Sequence, residues 1–101
     1  MKIEILFVPG CPNYEPAVAR VKKILASEGL KVEIADVPVN TEEDARALLF
    51  PGSPTVRIND DDVEPDPGNA LGLTCRLYGD RTGVPSEASV RRAVERAKGR
   101  D

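Results

Sequence analysis

Ile5-Leu6-Phe7-Val8 is an unbroken apolar run that stops at Pro9-Gly10. A strand with one wet face alternates apolar and polar residues. A continuous run is what a parallel strand buried on both faces requires. The first strand, over 2–8, therefore predicts a sheet flanked by helices. A helical pattern follows, with Val18, Val21, Ile24 and Leu25 on one face. Pro16 fixes where that helix can begin, because a proline lacks an N–H and is free of cost only within the first turn. A start at Asn13 satisfies this, and Gly29 ends the helix.

The rest of the chain keeps the alternation. Lys31–Val39 predicts a second strand through Val32, Ile34, Val37 and Val39. Thr41 caps a second helix, with Asp44 three residues on as a weaker capping box. Its apolar face is Ala45, Leu48 and Leu49, and Pro51-Gly52 closes it. Thr55–Ile58 is a third strand, Asn59-Asp60-Asp61 a turn, and Asp62-Val63-Glu64 a short antiparallel return. Residues 65–74, rich in Pro and Gly, read as an irregular loop, and Cys75–Tyr78 as a short apolar-alternating element. A final helix begins near Ser86, with Val90, Ala93, Val94 and Ala97 at helical spacing. The expected architecture is α/β, one domain over 1–101, in the order β-α-β-α-β-β-α with a mixed sheet flanked by helices.

Composition removes several functions. The chain has no histidine, which excludes Ser-His and Cys-His catalysis, imidazole zinc sites and histidine switching. Its 14 basic residues against 17 acidic give a net charge of -3, not the footprint of a nucleic-acid binder. No apolar run approaches a membrane span, and Met1-Lys2-Ile3-Glu4-Ile5 is no signal peptide. The expectation is a cytoplasmic protein with no nucleic-acid or membrane partner, whose two cysteines are too few for a disulfide scaffold.

Cys11 is the residue with chemistry to offer. It falls where the first strand ends and the first helix begins. The partial positive charge of a helix N-terminus favours a thiolate, which is the nucleophile and the metal ligand where a thiol is neither. The alternative is a small buried hydrophobe in a turn. Ser53-Pro54-Thr55 is the second signal, a proline at the mouth of the third strand.

The element order, Gly10-Cys11-Pro12-Asn13-Tyr14 and Ser53-Pro54-Thr55 together resemble the thioredoxin fold, nearer its compact glutaredoxin-like end. The resemblance covers nearly the whole chain, with residues 65–80 least matched. It implies that Cys11 is the cysteine that attacks a disulfide, that the Ser53–Pro54 bond is cis, and that Ser53, Pro54 and Thr55, with Pro12, Asn13 and Tyr14, contact the substrate. The second cysteine of a C-x-x-C motif is replaced by Tyr14, so exchange within one motif cannot run. Cys75 is the candidate replacement, as a disulfide partner or a second soft ligand; the alternative is that it packs beside Leu77. Small bacterial thioredoxin-like proteins with the same G-C-P-N opening are similar, and some carry a label linking them to alkylmercury lyase, although nothing here matches a complete lyase site.

Three functions are therefore carried forward. The first is thiol-disulfide exchange, acting on a protein or small-molecule thiol or disulfide without a cofactor. The second is a dithiol module for a soft metal or an organomercurial. The third is a non-catalytic binding domain of the same fold. A heavy-metal-associated ferredoxin-like domain also opens with strand, cysteine loop and helix, but the helix start at Thr41-Glu42-Glu43-Asp44 disfavours it. Tyr14 and Tyr78 read as packing residues, Asp60-Asp61-Asp62 with Glu64 and Asp66 as a solvated turn, and Arg91, Arg92, Arg96, Lys98 and Arg100 as a solvated helix face.

Overall fold

The computed structural model describes residues 1–64 and 83–100. The elements are β1 (Ile3–Phe7), α1 (Tyr14–Ser27), β2 (Ile34–Pro38), α2 (Glu42–Ala47), β3 (Thr55–Ile58), β4 (Asp61–Asp62) and α3 (Glu87–Arg100), in the order read from the sequence. The sheet order is β2-β1-β3-β4. β1 runs parallel to β2 and antiparallel to β3, which pairs antiparallel with β4.

The continuous apolar run is explained by two cores. Ile3 and Ile5 pack with Val21, Ile24 and Leu25 of α1, Val90 and Val94 of α3, and Val56 and Ile58 of β3. Leu6, one step out of phase, packs on the other side with Val39, Ala45 and Phe50, and Val8 joins that cluster. Period-two alternation thus sends β1 into α1 and α3 on one face and α2 on the other. Cys11 follows directly from this central strand.

The cap read at Thr41 holds, and Ser86, read only as a helix start, caps α3 as well. Thr41 Oγ1 accepts from Asp44 N at 3.0 Å, and Ser86 Oγ accepts from Ser89 N at 3.1 Å. α1 ends in a Schellman arrangement, in which Leu30 N donates to Leu25 O at 2.9 Å and Gly29 N to Ala26 O at 3.1 Å. Gly29 sits at φ +70°, where glycine carries no Cβ penalty.

Three expectations are corrected. β2 is shorter than 31–39, because the chain leaves α1 through Gly29-Leu30 and joins the sheet only at Ile34. The hairpin turn is two residues, Asn59-Asp60, both at positive φ, and the return strand is Asp61–Asp62 instead of 62–64. Two residues in the left-handed region are what a tight hairpin needs, and Asn and Asp tolerate it. Leu49 is not on a helix face: α2 stops at Ala47, and Leu49 lies beyond its cap at φ 53° and 68% exposed. Among the described residues, no helix is long and apolar enough to cross a membrane.

Candidate functional site

Two successive turns carry the chain from β1 into α1. Cys11 N donates to Val8 O at 3.0 Å, closing a turn with Pro9 at its second position and Gly10, φ +89°, at its third. Proline presets the first central dihedral of a type II turn, and glycine supplies the positive φ of the second. Cys11 O then accepts from Tyr14 N at 3.3 Å, and Ala17 N donates to Asn13 O, which starts the helix. Asn13 holds the cap position, yet its side chain makes no cap hydrogen bond. Its backbone is helical (φ -95°, ψ -1°), whereas a capping side chain needs an extended residue to reach the free N–H groups. The Asn13 amide packs instead against Gly83, where a Cβ would overlap it. The segment leading into α3 is therefore seated on the start of α1, and Arg20 Nη1 secures it by donating to Pro85 O at 2.9 Å.

Cys11 is a half-buried free thiol. It opens into a cleft of about 470 Å³ lined by Phe7, Gly10, Cys11, Pro12, Tyr14, Glu15 and Pro16. The Phe7 and Tyr14 rings lie 4.2 Å apart at a 35° tilt and form one aromatic wall. On its far side Tyr14 borders a second open cleft of about 400 Å³, shared with Val18, Lys22, Val32, Glu33, Ile34 and Asp36. Hydrogen bonding to the Asp36 carboxylate pushes the Tyr14 phenol up to about 12, with burial and the charges of Asp36 and Glu15 acting in the same direction. Tyr14 is thus engaged with the sheet edge.

The 51–55 loop runs beside this turn but is built differently. Ser53 Oγ accepts from Val8 N at 3.0 Å, tying the two loops together. Thr55 Oγ1 donates to Gly52 O at 2.7 Å. The Ser53–Pro54 bond is cis. Every residue from Pro51 to Val56 is buried, with Ser53 only 1% and Thr55 0% exposed. Cys11, Pro12 and Tyr14 therefore share the cleft, while Asn13, Ser53, Pro54 and Thr55 are not among its lining residues. Cys75 and Tyr78 lie outside the described residues.

Phe7, Glu15 and Asp36 belong to the site although the sequence did not single them out. Phe7 carried a signal: by period two it shares the face of Ile3 and Ile5, which α1 covers. Asp36 carried none, since its meeting with Tyr14 depends on the register of β2 against β1. Among the described residues, several of the other charged side chains pair at the surface. Lys2 Nζ pairs with Asp60 at 2.8 Å, and Arg91 and Lys98 both pair with Glu28 at 3.2 Å. Among the described residues, no group of three or more Cys, Asp or Glu could hold a metal ion.

Compared with family models, curated proteins and solved structures, the chain matches none.

Proposed function

We propose that this chain is a thioredoxin-like protein that performs thiol-disulfide exchange through Cys11. The observation that carries the reading is the half-buried Cys11 thiol, set at the mouth of an open cleft between the central strand and the start of a long helix. The sheet order β2-β1-β3-β4, with β1 parallel to one neighbour and antiparallel to the other, supports the fold assignment. Cytoplasmic residence suits the reaction, because thiols stay mostly reduced there.

The Cys11 thiolate attacks one sulfur of a substrate disulfide. A new S–S bond forms between Cys11 and that sulfur, the substrate S–S bond breaks, and the other sulfur leaves as a thiolate with the electron pair. Resolution needs a second thiolate: Cys75 attacking the Cys11 sulfur forms a Cys11–Cys75 disulfide and expels the bound substrate half as a thiolate, whereas an external thiolate attacking the substrate sulfur forms a new external disulfide and releases Cys11 as a thiolate. Pro12 and Tyr14 flank the incoming disulfide. Ser53 acts from inside by fixing the backbone at Val8, one turn before Cys11.

Thiol alkylation under denaturing conditions, followed by intact mass, tests the reading. The protein is air-oxidised and labelled with and without prior reduction. On a monomer, no label before reduction and two after identifies a Cys11–Cys75 bridge; two labels in both samples show that the cysteines do not pair, which leaves a single-cysteine mechanism resolved by an external thiol or a non-catalytic domain. Incubation with a small disulfide before labelling then decides whether Cys11 reacts at all. A mixed disulfide on Cys11 in the native protein, lost in Cys11→Ser, is the expected result. A Cys11 that forms none overturns the reading in favour of a non-catalytic domain.

A further inference from the structure

We infer that the Cys11 cleft selects cationic and neutral apolar disulfides and discriminates against anionic ones, glutathione disulfide among them. This rests on Cys11 being the attacking thiol and adds the class of substrate it attacks.

The lining of the cleft carries the inference. Phe7 and Tyr14 supply a joined aromatic wall, and Pro12 and Pro16 supply two more apolar surfaces. The one charged group among the described lining residues is the Glu15 carboxylate. Glu15 is exposed on the first turn of α1, four residues beyond Cys11 and one beyond Tyr14. No lysine or arginine is among those lining residues to receive a carboxylate. Behind the Tyr14 ring the adjoining cleft carries Glu33 and Asp36 against Lys22, a further net negative charge. A positive group entering beside Cys11 meets an aromatic face and a carboxylate, a pairing that attracts cations. A carboxylate entering the same place meets like charge and finds no basic partner among the described lining residues. The net charge of -3 over the chain acts in the same direction during encounter.

The reacting bonds are unchanged by this selection. Cys11 sulfur bonds to one substrate sulfur, and the other leaves as a thiolate with the electron pair; only the charge carried beside those sulfurs differs. The preference arises from partly exposed charges, so it is modest and sensitive to salt.

The test compares rates of mixed-disulfide formation at Cys11 with cystamine, bis(2-hydroxyethyl) disulfide and dithiodiglycolate. Peptide mass mapping assigns the modified cysteine. Each rate is divided by that of free 2-mercaptoethanol with the same disulfide, which removes differences in leaving-group acidity. At low ionic strength the corrected rate with cystamine is expected to exceed that with dithiodiglycolate by about threefold to tenfold. High salt should shrink the ratio, and Glu15→Gln should reduce it at low salt, lowering the corrected rate with cystamine relative to that with bis(2-hydroxyethyl) disulfide measured on the same variant. Corrected rates that are equal, or fastest with the dianion, overturn the inference and leave the Cys11 reading intact. Absence of mixed disulfide on Cys11 with all three reagents overturns the underlying reading instead.

Discussion

The loop that carries Cys11, residues 8–13, and the loop that leads into β3, residues 50–54, meet at the end of β1, where Val8 N donates to Ser53 Oγ. Both are punctuated by proline and glycine. The first is open: Pro9, Gly10 and Pro12 are exposed, and Cys11 is half-buried over a cleft. The second is closed: Phe50 through Pro54 are all buried. The difference separates two duties that the sequence pattern merges. On the proposed reading the open loop presents the attacking sulfur, and the closed loop fixes the backbone that the open one departs from. If this division is right, changes in the closed loop cost stability, whereas changes in the open loop cost chemistry.

The largest effect belongs to Phe50. It is fully buried among Leu6, Val39 and Ala45 and anchors the closed loop to the core under α2. Phe50→Ala is expected to cost about 3–5 kcal/mol, read by urea denaturation. A loss below about 1 kcal/mol, the range of ordinary surface and mild changes, would break the comparison by showing that the loop is not locked to the core.

Ser53→Ala comes next. It removes the acceptor for Val8 N and leaves a part-buried donor without its partner, at a cost of about 1–3 kcal/mol. The same variant separates support from contact. If Ser53 holds the backbone, stability falls and the rate of Cys11 modification in the folded protein changes little. A large fall in that rate at unchanged stability would place Ser53 in contact with substrate, and the comparison would have to be redrawn.

The contrast between the loops was only half legible in the sequence. Pro9-Gly10 announced its turn, because each residue supplies the dihedral its position needs, and Cys11 followed from that turn and the helix after it. That Ser53, Pro54 and Thr55 stand at the mouth of the third strand was legible from the sequence, whereas their place beside the end of β1 came only as what the resemblance implied. Their burial was not, because it depends on packing between elements distant in sequence, such as Leu6 and Phe50. The end of α2 was misread for a related reason. Apolar spacing at Ala45, Leu48 and Leu49 suggests one helix face, but Phe50 N donates to Ala45 O at 2.8 Å and Leu49 N to Arg46 O at 3.2 Å. That is the arrangement that ends α1, with a leucine where α1 has glycine.

Leu49 therefore offers a smaller test at the entrance to the closed loop. A leucine in the left-handed region crowds its Cβ against the backbone, and its side chain is 68% exposed, so little burial offsets the strain. Leu49→Gly is expected to stabilise by about 1 kcal/mol. At the matching position of α1, Gly29→Ala is expected to destabilise by about the same amount, since a Cβ there meets nothing within 4 Å and only the backbone term remains. Destabilisation by Leu49→Gly would show that the exposed leucine side chain makes a contact the strain serves.

The smallest effect concerns the tie between the open loop and the sheet edge. Hydrogen bonding to Asp36 raises the Tyr14 phenol from 10.0 to about 12. In that window the folded state holds a proton that the unfolded chain has released. This contribution to stability is therefore complete below pH 10 and is lost as the pH rises from 10 through 12. Asp36→Ala should bring the Tyr14 titration down towards the ordinary tyrosine range and flatten that fall. Absorbance at 295 nm follows the phenolate, and Tyr14→Phe identifies the Tyr14 step. Since Tyr14 also forms the wall of the Cys11 cleft with Phe7, the same variant asks whether the open loop needs this anchor. Unchanged Cys11 reactivity alongside a lowered Tyr14 titration would mean that the ring stack with Phe7 holds the wall unaided. Slower reactivity would make Asp36 a positioning residue, acting through Tyr14 on a thiol that it does not touch.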